Sequence, residues 1–190
     1  YYNFTDIKVY PRPIQQPSPP IFVMCSVSDE TIIKAGREGY SFFFGGITHE
    51  DTMHKLKLYR ETALASGYTP EQMEERIARS GKLLFVYVAE TTKQAEEEYR
   101  KGLEWYMSVR DNRPTFAATG RELHVDYEKF LKHENTIVGS PEKVVELIHK
   151  FREETGLTNI ICWMNIGGQP QPNVLKSMRL FHEKVMPHFQ

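Results

Sequence analysis

Residues 16–39 read QPSPPIFVMCSVSDETIIKAGREG, and this stretch decides the fold. Prolines end an irregular lead-in, and the apolar run from Ile21 to Cys25 predicts a strand that is buried on both faces. Ser28 then predicts the N-cap of a helix that ends at Gly39. Such a strand–turn–helix junction suits a phosphate or another small anion, because backbone N–H groups and the positive end of the helix dipole point at it. Thr31 can add a second hydroxyl, although most helix starts of this kind bind nothing.

Three further apolar segments predict strands at residues 40–44, 82–89 and 159–164, with helices between and after them. This alternation predicts a parallel sheet covered by helices, either a doubly wound sheet or a (β/α)8 barrel. In both, ligands bind at the carboxyl ends of the strands. Four units are half a barrel, so its open edges require another chain or self-association. Gly45-Gly46, after the second strand, indicates either a turn or a close approach to a ligand, and the turn is favoured.

Two segments depart from this pattern. Residues 1–20 form a proline-rich connector, in which the apolar side chains of Phe4, Ile7, Val9 and Ile14 are expected to be anchors. Residues 111–138 form a long excursion with a short helix around residues 127–131, and loops of that length often serve as lids or binding segments.

The composition favours a chain that binds neither nucleic acid nor a membrane, because 26% of residues are charged, the net charge is −1 and no long apolar run is present. The seven histidines show no metal-ligand spacing. Cys25 and Cys162 fall in predicted strands, where they are expected to act as small apolar residues, and this fits a reducing, cytoplasmic setting. The chain has no initiator methionine and is expected to be a piece of a longer protein.

Six motifs along the chain belong together. They are Arg12–Ile21, Ser28–Thr31, Phe85–Thr91, Gly139–Glu142, Gly167-Gly168 and Phe181–Pro187. In this order and spacing they resemble the C-terminal half of bacterial luciferase-like flavin-dependent monooxygenases. The resemblance covers almost all of residues 1–190 and begins at about the fifth strand of that family's barrel.

The resemblance implies a luciferase-like (β/α)8 TIM barrel, of which this chain supplies strands 5 to 8. Such a barrel binds reduced flavin mononucleotide (FMN), or in some branches a reduced deazaflavin, and monooxygenase members use O2 to oxidise a small organic substrate. The implied partners are a flavin reductase that supplies reduced flavin, and either the N-terminal half of the barrel or another copy of the chain. The family's catalytic histidine belongs to the N-terminal half, so no catalytic residue is assigned to this chain.

The resemblance also implies where the flavin phosphate binds. Its contacts in the family carry over to Ser28 and Thr31, the same pair that the capping argument selects. The carboxylates of Asp29 and Glu30 suit the helix dipole, but their charge would oppose a phosphate placed too near.

Further site residues are implied at the ends of other strands. Cys25, Ser26 and Val27 would line the isoalloxazine or ribityl region, although luciferase itself has an acidic residue at the place of Val27. Gly45 and Gly46 would lie at the mouth of the sixth barrel strand. Trp163 and Met164 would either wall the flavin or substrate pocket or fill the core.

Two other interpretations stay open. The chain could be a non-catalytic luciferase-like subunit that binds flavin or a partner. It could also be a complete doubly wound domain of flavodoxin type, although the first strand–helix junction lacks the Ser/Thr-Gly-rich phosphate loop of such domains and a very long insertion separates the third and fourth strands.

Overall fold

The computed structural model of the chain describes residues 3–8, 10–16, 18–111 and 127–189. Five parallel strands form one sheet: β1 Phe22–Cys25, β2 Ser41–Phe44, β3 Gly81–Val88, β4 Thr136–Gly139 and β5 Asn159–Trp163. The helices are α1 Asp29–Glu38, α2 His49–Ala65, α3 Pro70–Arg79, α4 Thr92–Asp111, α5 Tyr127–Leu131, α6 Pro141–Thr155 and α7 Gln171–Leu180. The predicted α/β architecture with a parallel sheet is confirmed.

Strand β3 is the centre of the sheet. Its Lys82 is aligned with Phe44 of β2 and with Ile160 of β5, so these two strands lie on opposite edges of β3. The order β1-β2-β3-β5 follows the chain, as in a barrel. Strand β4 pairs with the later half of β3 on the edge that β2 uses. The sequence analysis did not predict β4, which is four residues long and lies at the end of the 111–138 excursion.

The position of β4 explains the unusual side on which α4 packs. Helices α1, α2, α6 and α7 lie on the first face of the sheet, over a core that includes Phe44, Leu84 and Val86. The connection from β3 to β4 runs back across the sheet, opposite to the other connections. Because parallel crossovers are right-handed, α4 must lie on the second face, where it packs around Tyr87 and Tyr99.

The second face of β1 is not covered by any described part of the chain. Ile21, Phe22 and Met24 are exposed, Met24 to 54%, and Phe22 stacks on Phe43 of β2, with ring centroids 5.0 Å apart. The prediction that this strand is buried on both faces is therefore wrong. The reason is that β1 is an edge strand in this chain, whereas β3 carries helices on both faces.

Expectations about the start of the chain are corrected in the same way. The side chains of Ile7 and Ile14 are exposed and do not anchor the connector, the side chain of Phe4 is 70% exposed, and Val9 lies outside the described residues. At the other end of the chain, α7 is continued by a π-helical turn, Phe181–Val185, and then by a 3-10 turn, Met186–Phe189. A proline near the start of a new turn is tolerated, because the N–H that it lacks has no helical partner there.

The loop after β5 is fixed to α4 by a tight contact. Gly167 has a φ of 86°, and a Cβ added to it would lie 2.1 Å from the Trp105 ring. A Cβ on Gly102 of α4 would likewise lie 2.2 Å from Gln169. The glycine residues thus allow the loop and the helix to touch. No helix in the described ranges has the length and apolar character needed to cross a membrane.

We expect Gly167→Ala to lower the free energy of unfolding more than Gly156→Ala does. Both residues have positive φ, but a Cβ at Gly156 would meet nothing within 4 Å. Each change costs about 1–2 kcal/mol in backbone strain, and only the first adds the roughly 1–3 kcal/mol of overpacking against Trp105. Urea unfolding of the two variants measures the difference, and equal losses would contradict the tight contact.

Candidate functional site

The ends of β1 and β2 meet at the carboxyl edge of the sheet. The Gly45 N–H donates to the Cys25 carbonyl at 3.2 Å, and a Cβ on Gly45 would lie 3.8 Å from the Ser26 hydroxyl oxygen. A Cβ on Gly46 would meet nothing within 4 Å. The structure therefore brings Cys25, Ser26 and Gly45 together, with open space beside Gly46.

Helix α1 begins directly beyond this edge. Ser28 is its N-cap, and the side-chain oxygen accepts a hydrogen bond from the Glu30 N–H at 3.2 Å, as the sequence predicts. Thr31 is half-buried in the first turn, and Val27 before the cap is 92% exposed. The start of α1 is thus open to solvent, and it presents the first-turn N–H groups that no residue of the same helix can satisfy.

A buried lysine, which was not among the predicted site residues, lies under this helix start. Lys55 of α2 is 3% exposed on its side chain, and its Nζ donates to the Val27 carbonyl at 3.1 Å and to Asp29 Oδ1 at 2.6 Å. The Asp29 carboxylate also lies 3.0 Å from His54 Nε2. Lys55 occupies an inward position between Thr52 and Tyr59 on α2, and a charged residue in that apolar stripe was the available signal.

The contact with Lys55 changes the electrostatics that the sequence suggested. Hydrogen bonds from Lys55 and then His54 hold the pKa of Asp29 below its ordinary value. The carboxylate that would oppose an anion at the start of α1 is therefore balanced by a buried ammonium group and by a histidine. Glu30 is the other acidic residue of the first turn, and it takes no part in the contact between Asp29 and Lys55.

The Cys25 thiol is not available to a ligand. It lies in the core of the first face, and burial raises its pKa to about 11. Cys25 can therefore meet a bound molecule only through its backbone. Cys25 and Cys162 are both free cysteines.

Trp163 and Met164 are directed to different faces of the sheet. The Trp163 ring stacks on Phe85 at 5.1 Å between centroids and meets the edge of Tyr106, and its Nε1 donates to the Asn165 carbonyl. Met164 packs in the core of the first face. A cleft of about 700 Å³ lies elsewhere, between α2, α4 and α6, and neither of these residues nor Ser28 lines it.

Strands β1, β2, β3 and β5 lie side by side in the order in which they occur along the chain, and the ends of β1 and β2 leave open space beside Gly46. These two features define a protein of the (β/α)-barrel class. Residues 1–159 match the luciferase-like monooxygenase family, and the chain belongs to that family. This membership, with the order of the strands, replaces the flavodoxin-type interpretation. In the described part of the chain no group of three or more His, Cys, Asp or Glu side chains could hold a metal ion.

Individual relatives agree with this assignment. The alkanal monooxygenase alpha chain of Photobacterium leiognathi is 26% identical over an aligned length of 208 residues, gaps included. The alignment covers 99% of this chain and 56% of the relative. The monooxygenase RslO1 of Streptomyces bottropensis superimposes with a TM-score of 0.74 at 26% identity, over 95% of this chain and 51% of that protein. The oxygenating constituent of 3,6-diketocamphane monooxygenase from Pseudomonas putida, in complex with FMN, has a TM-score of 0.70 at 20% identity. The superposition covers 91% of this chain and 50% of that protein. The chain spans about half the length of the relatives it matches.

We expect acid to weaken the attachment of α1 to α2 through Asp29. Because its pKa is lowered in the folded state, Asp29 contributes stability that is present above its ordinary pKa of 3.8 and is lost as the pH falls through the folded value. In Asp29→Asn the free energy of unfolding should therefore fall less steeply than in the wild type as the pH is lowered from about 5 to about 3. Urea unfolding at several pH values measures this. Glu30→Gln, in the same helical turn, is the matched control, and an equal flattening there would contradict the role of Lys55.

Proposed function

We propose that this chain is half of a flavin-dependent monooxygenase, in which reduced FMN and O2 oxidise a small organic substrate. The start of α1 carries part of the site for the flavin phosphate. A reduced deazaflavin is the second choice of cofactor, and a separate flavin reductase is the source of the reduced flavin.

The observation that carries this proposal is the pairing of an exposed helix start with a buried cation. A phosphate at the start of α1 would accept hydrogen bonds from first-turn N–H groups and from the Ser28 and Thr31 hydroxyls. Lys55 balances Asp29 from below, so the carboxylate closest to the cap does not repel the phosphate. Family membership and an FMN-bound neighbour of the same fold support the choice of ligand.

The neighbouring residues fit an extended cofactor next to that phosphate. The open space beside Gly46 leaves room for a ligand to approach the backbone. Ser26 and the exposed Val27 side chain would contact the ribityl chain or the ring, and Trp163 remains our proposed residue for the wall of the pocket. Met164 packs in the core of the first face, which is the alternative role that the sequence left open. Reduced flavin, when bound, supplies the electrons for oxygen chemistry, and the residues of this chain bind it, orient it and help to exclude water.

We further propose that an N-terminal half-barrel covers the exposed face of β1. Ile21, Phe22 and Met24 leave an apolar surface beside an open strand edge. Unpaired parallel edges and apolar faces of this kind are normally covered. A half-barrel of similar length would account for the relatives that are about twice as long. The two free cysteines are consistent with a reducing, cytoplasmic setting.

We expect Ser28→Ala to weaken FMN binding by the full-length protein roughly 10- to 100-fold, because a hydrogen bond to a charged group contributes about 1.5–3 kcal/mol. Fluorescence quenching of FMN measures the dissociation constant. Riboflavin lacks the phosphate, so its affinity should be the same in the wild type and in Ser28→Ala.

Ser140→Ala is the matched control for this experiment. Ser140 caps α6 in the same way, through a hydrogen bond from the Lys143 N–H, and its loss should cost about 1 kcal/mol of stability without changing FMN affinity. Equal weakening by both variants, or no preference for FMN over riboflavin in the wild type, would overturn the phosphate site.

A further inference from the structure

A second group of polar side chains lies at the junction of the first turn of α2 with β4. Among the described residues, six buried side-chain atoms have no hydrogen-bond partner, and four of them belong to this junction: His49 Nε2, Lys82 Nζ, Asn135 Oδ1 and Thr136 Oγ1. We call these four residues the polar junction. Buried polar atoms are normally paired, so a concentration of unpaired ones indicates a place where a polar molecule binds.

The polar junction is held in position by its neighbours. The Asn135 side-chain amide donates to the Ile47 carbonyl at 2.8 Å, and the backbone N–H of His49 donates to the Glu134 carboxylate. His49 Nδ1 lies 2.7 Å from the Glu154 carboxylate at the end of α6. Because the Glu154 carboxylate accepts the Nδ1 proton, Nε2 is an acceptor in the neutral ring and a donor only in the imidazolium form, in which both ring nitrogens are protonated.

A cleft of about 700 Å³ adjoins the polar junction, and His49 and Thr136 line it. This volume falls within the range typical of small-molecule sites. One part of the wall is apolar and consists of Leu131, Ile137, Val138, Leu147 and Phe151. Two residues of the polar junction thus line the cleft beside an apolar surface, and their unpaired atoms are themselves buried.

Positive charge prevails around the cleft. Lys129, Lys132, Lys143 and Lys150 line it, and the polar junction adds Lys82 from behind the wall. The opposing carboxylates are those of Glu96, Glu134 and Glu154. Two of them are already engaged, Glu154 by His49 and Lys150, and Glu134 by the His49 backbone. Two of the lysines are engaged as well, Lys143 by Glu146 and Lys150 by Glu154. The lining as a whole carries one more ammonium group than carboxylates, and Lys82 adds a further positive charge.

We propose that this cleft binds an aliphatic carboxylate, with its head group at His49 and Thr136 and its chain along the apolar wall. The carboxylate oxygens accept hydrogen bonds from Thr136 Oγ1 and, when His49 is an imidazolium, from its Nε2–H, while Glu154 accepts from Nδ1–H. The charge of Lys82 stabilises the head group from behind. The chain is held by the hydrophobic effect against Leu147 and its neighbours.

Calorimetric titration of the full-length protein with octanoate at pH 7 tests this proposal. We expect saturable binding that Thr136→Val and Lys82→Met each weaken at least tenfold, while Lys34→Met, a lysine change on α1, leaves it unaltered. Ser28→Ala should also leave it unaltered, which separates this site from the proposed phosphate site. Circular dichroism confirms that each variant is folded.

Two results would overturn the proposal. One is octanoate binding that survives in both cleft variants, because the ligand would then occupy another site. The other is 1-octanol binding as tightly as octanoate, because the polar junction would then contribute nothing to recognition.

The pH dependence of stability provides a second readout. Burial lowers the pKa of Lys82 from 10.5 to about 8, although the charges of Glu134 and Asp51 oppose this shift. The unfolded chain therefore holds more protons than the folded one between these values, and the ligand-free protein should become more stable as the pH rises through that window.

Lys82→Met should remove this rise in stability. Saturating octanoate should reduce it in the wild type, because a bound carboxylate favours the charged ammonium. A rise of the same size with and without octanoate would show that the carboxylate does not bind near Lys82.

Discussion

Backbone pairing along both edges of β3 is the constraint on which the rest of this structure depends. On one edge β3 is paired with β5 over its first five residues, and on the other with β2 at its start and β4 at its end. A parallel ladder can be extended only by a strand that returns in the same direction, so each addition requires a crossover. The positions of the helices follow from those crossovers.

The connection from β3 to β4, which runs opposite to the other connections, has the largest effect on where the helices pack. It sends α4 to the second face of the sheet, where the helix covers β3 but not β1. The loop after β5 is then held against α4 by the contact of Gly167 with Trp105. The same asymmetry leaves Phe22 and Met24 uncovered, in a chain that spans about half the length of the relatives it matches.

Both polar regions of the chain depend on buried lysines, but the two lysines are in different states. Lys55 has a carboxylate at 2.6 Å and a carbonyl at 3.1 Å, so its charge is compensated and serves to hold the start of α1. Lys82 is fully buried without a hydrogen-bond partner and has a lowered pKa. A buried ammonium group without a counter-ion is costly, and groups with a perturbed pKa cluster at functional sites.

The sequence by itself determined the elements that depend on neighbours along the chain. The apolar runs of β1, β2, β3 and β5 and the Ser28 cap were predictable, because a strand or a cap depends on a few consecutive residues. The motifs also pointed to the family. Tertiary structure alone decided the pairing of β4, the face that α4 occupies, the exposure of β1 and the contact of Lys55 with Asp29. These depend on contacts between residues far apart in the chain, which no local pattern records.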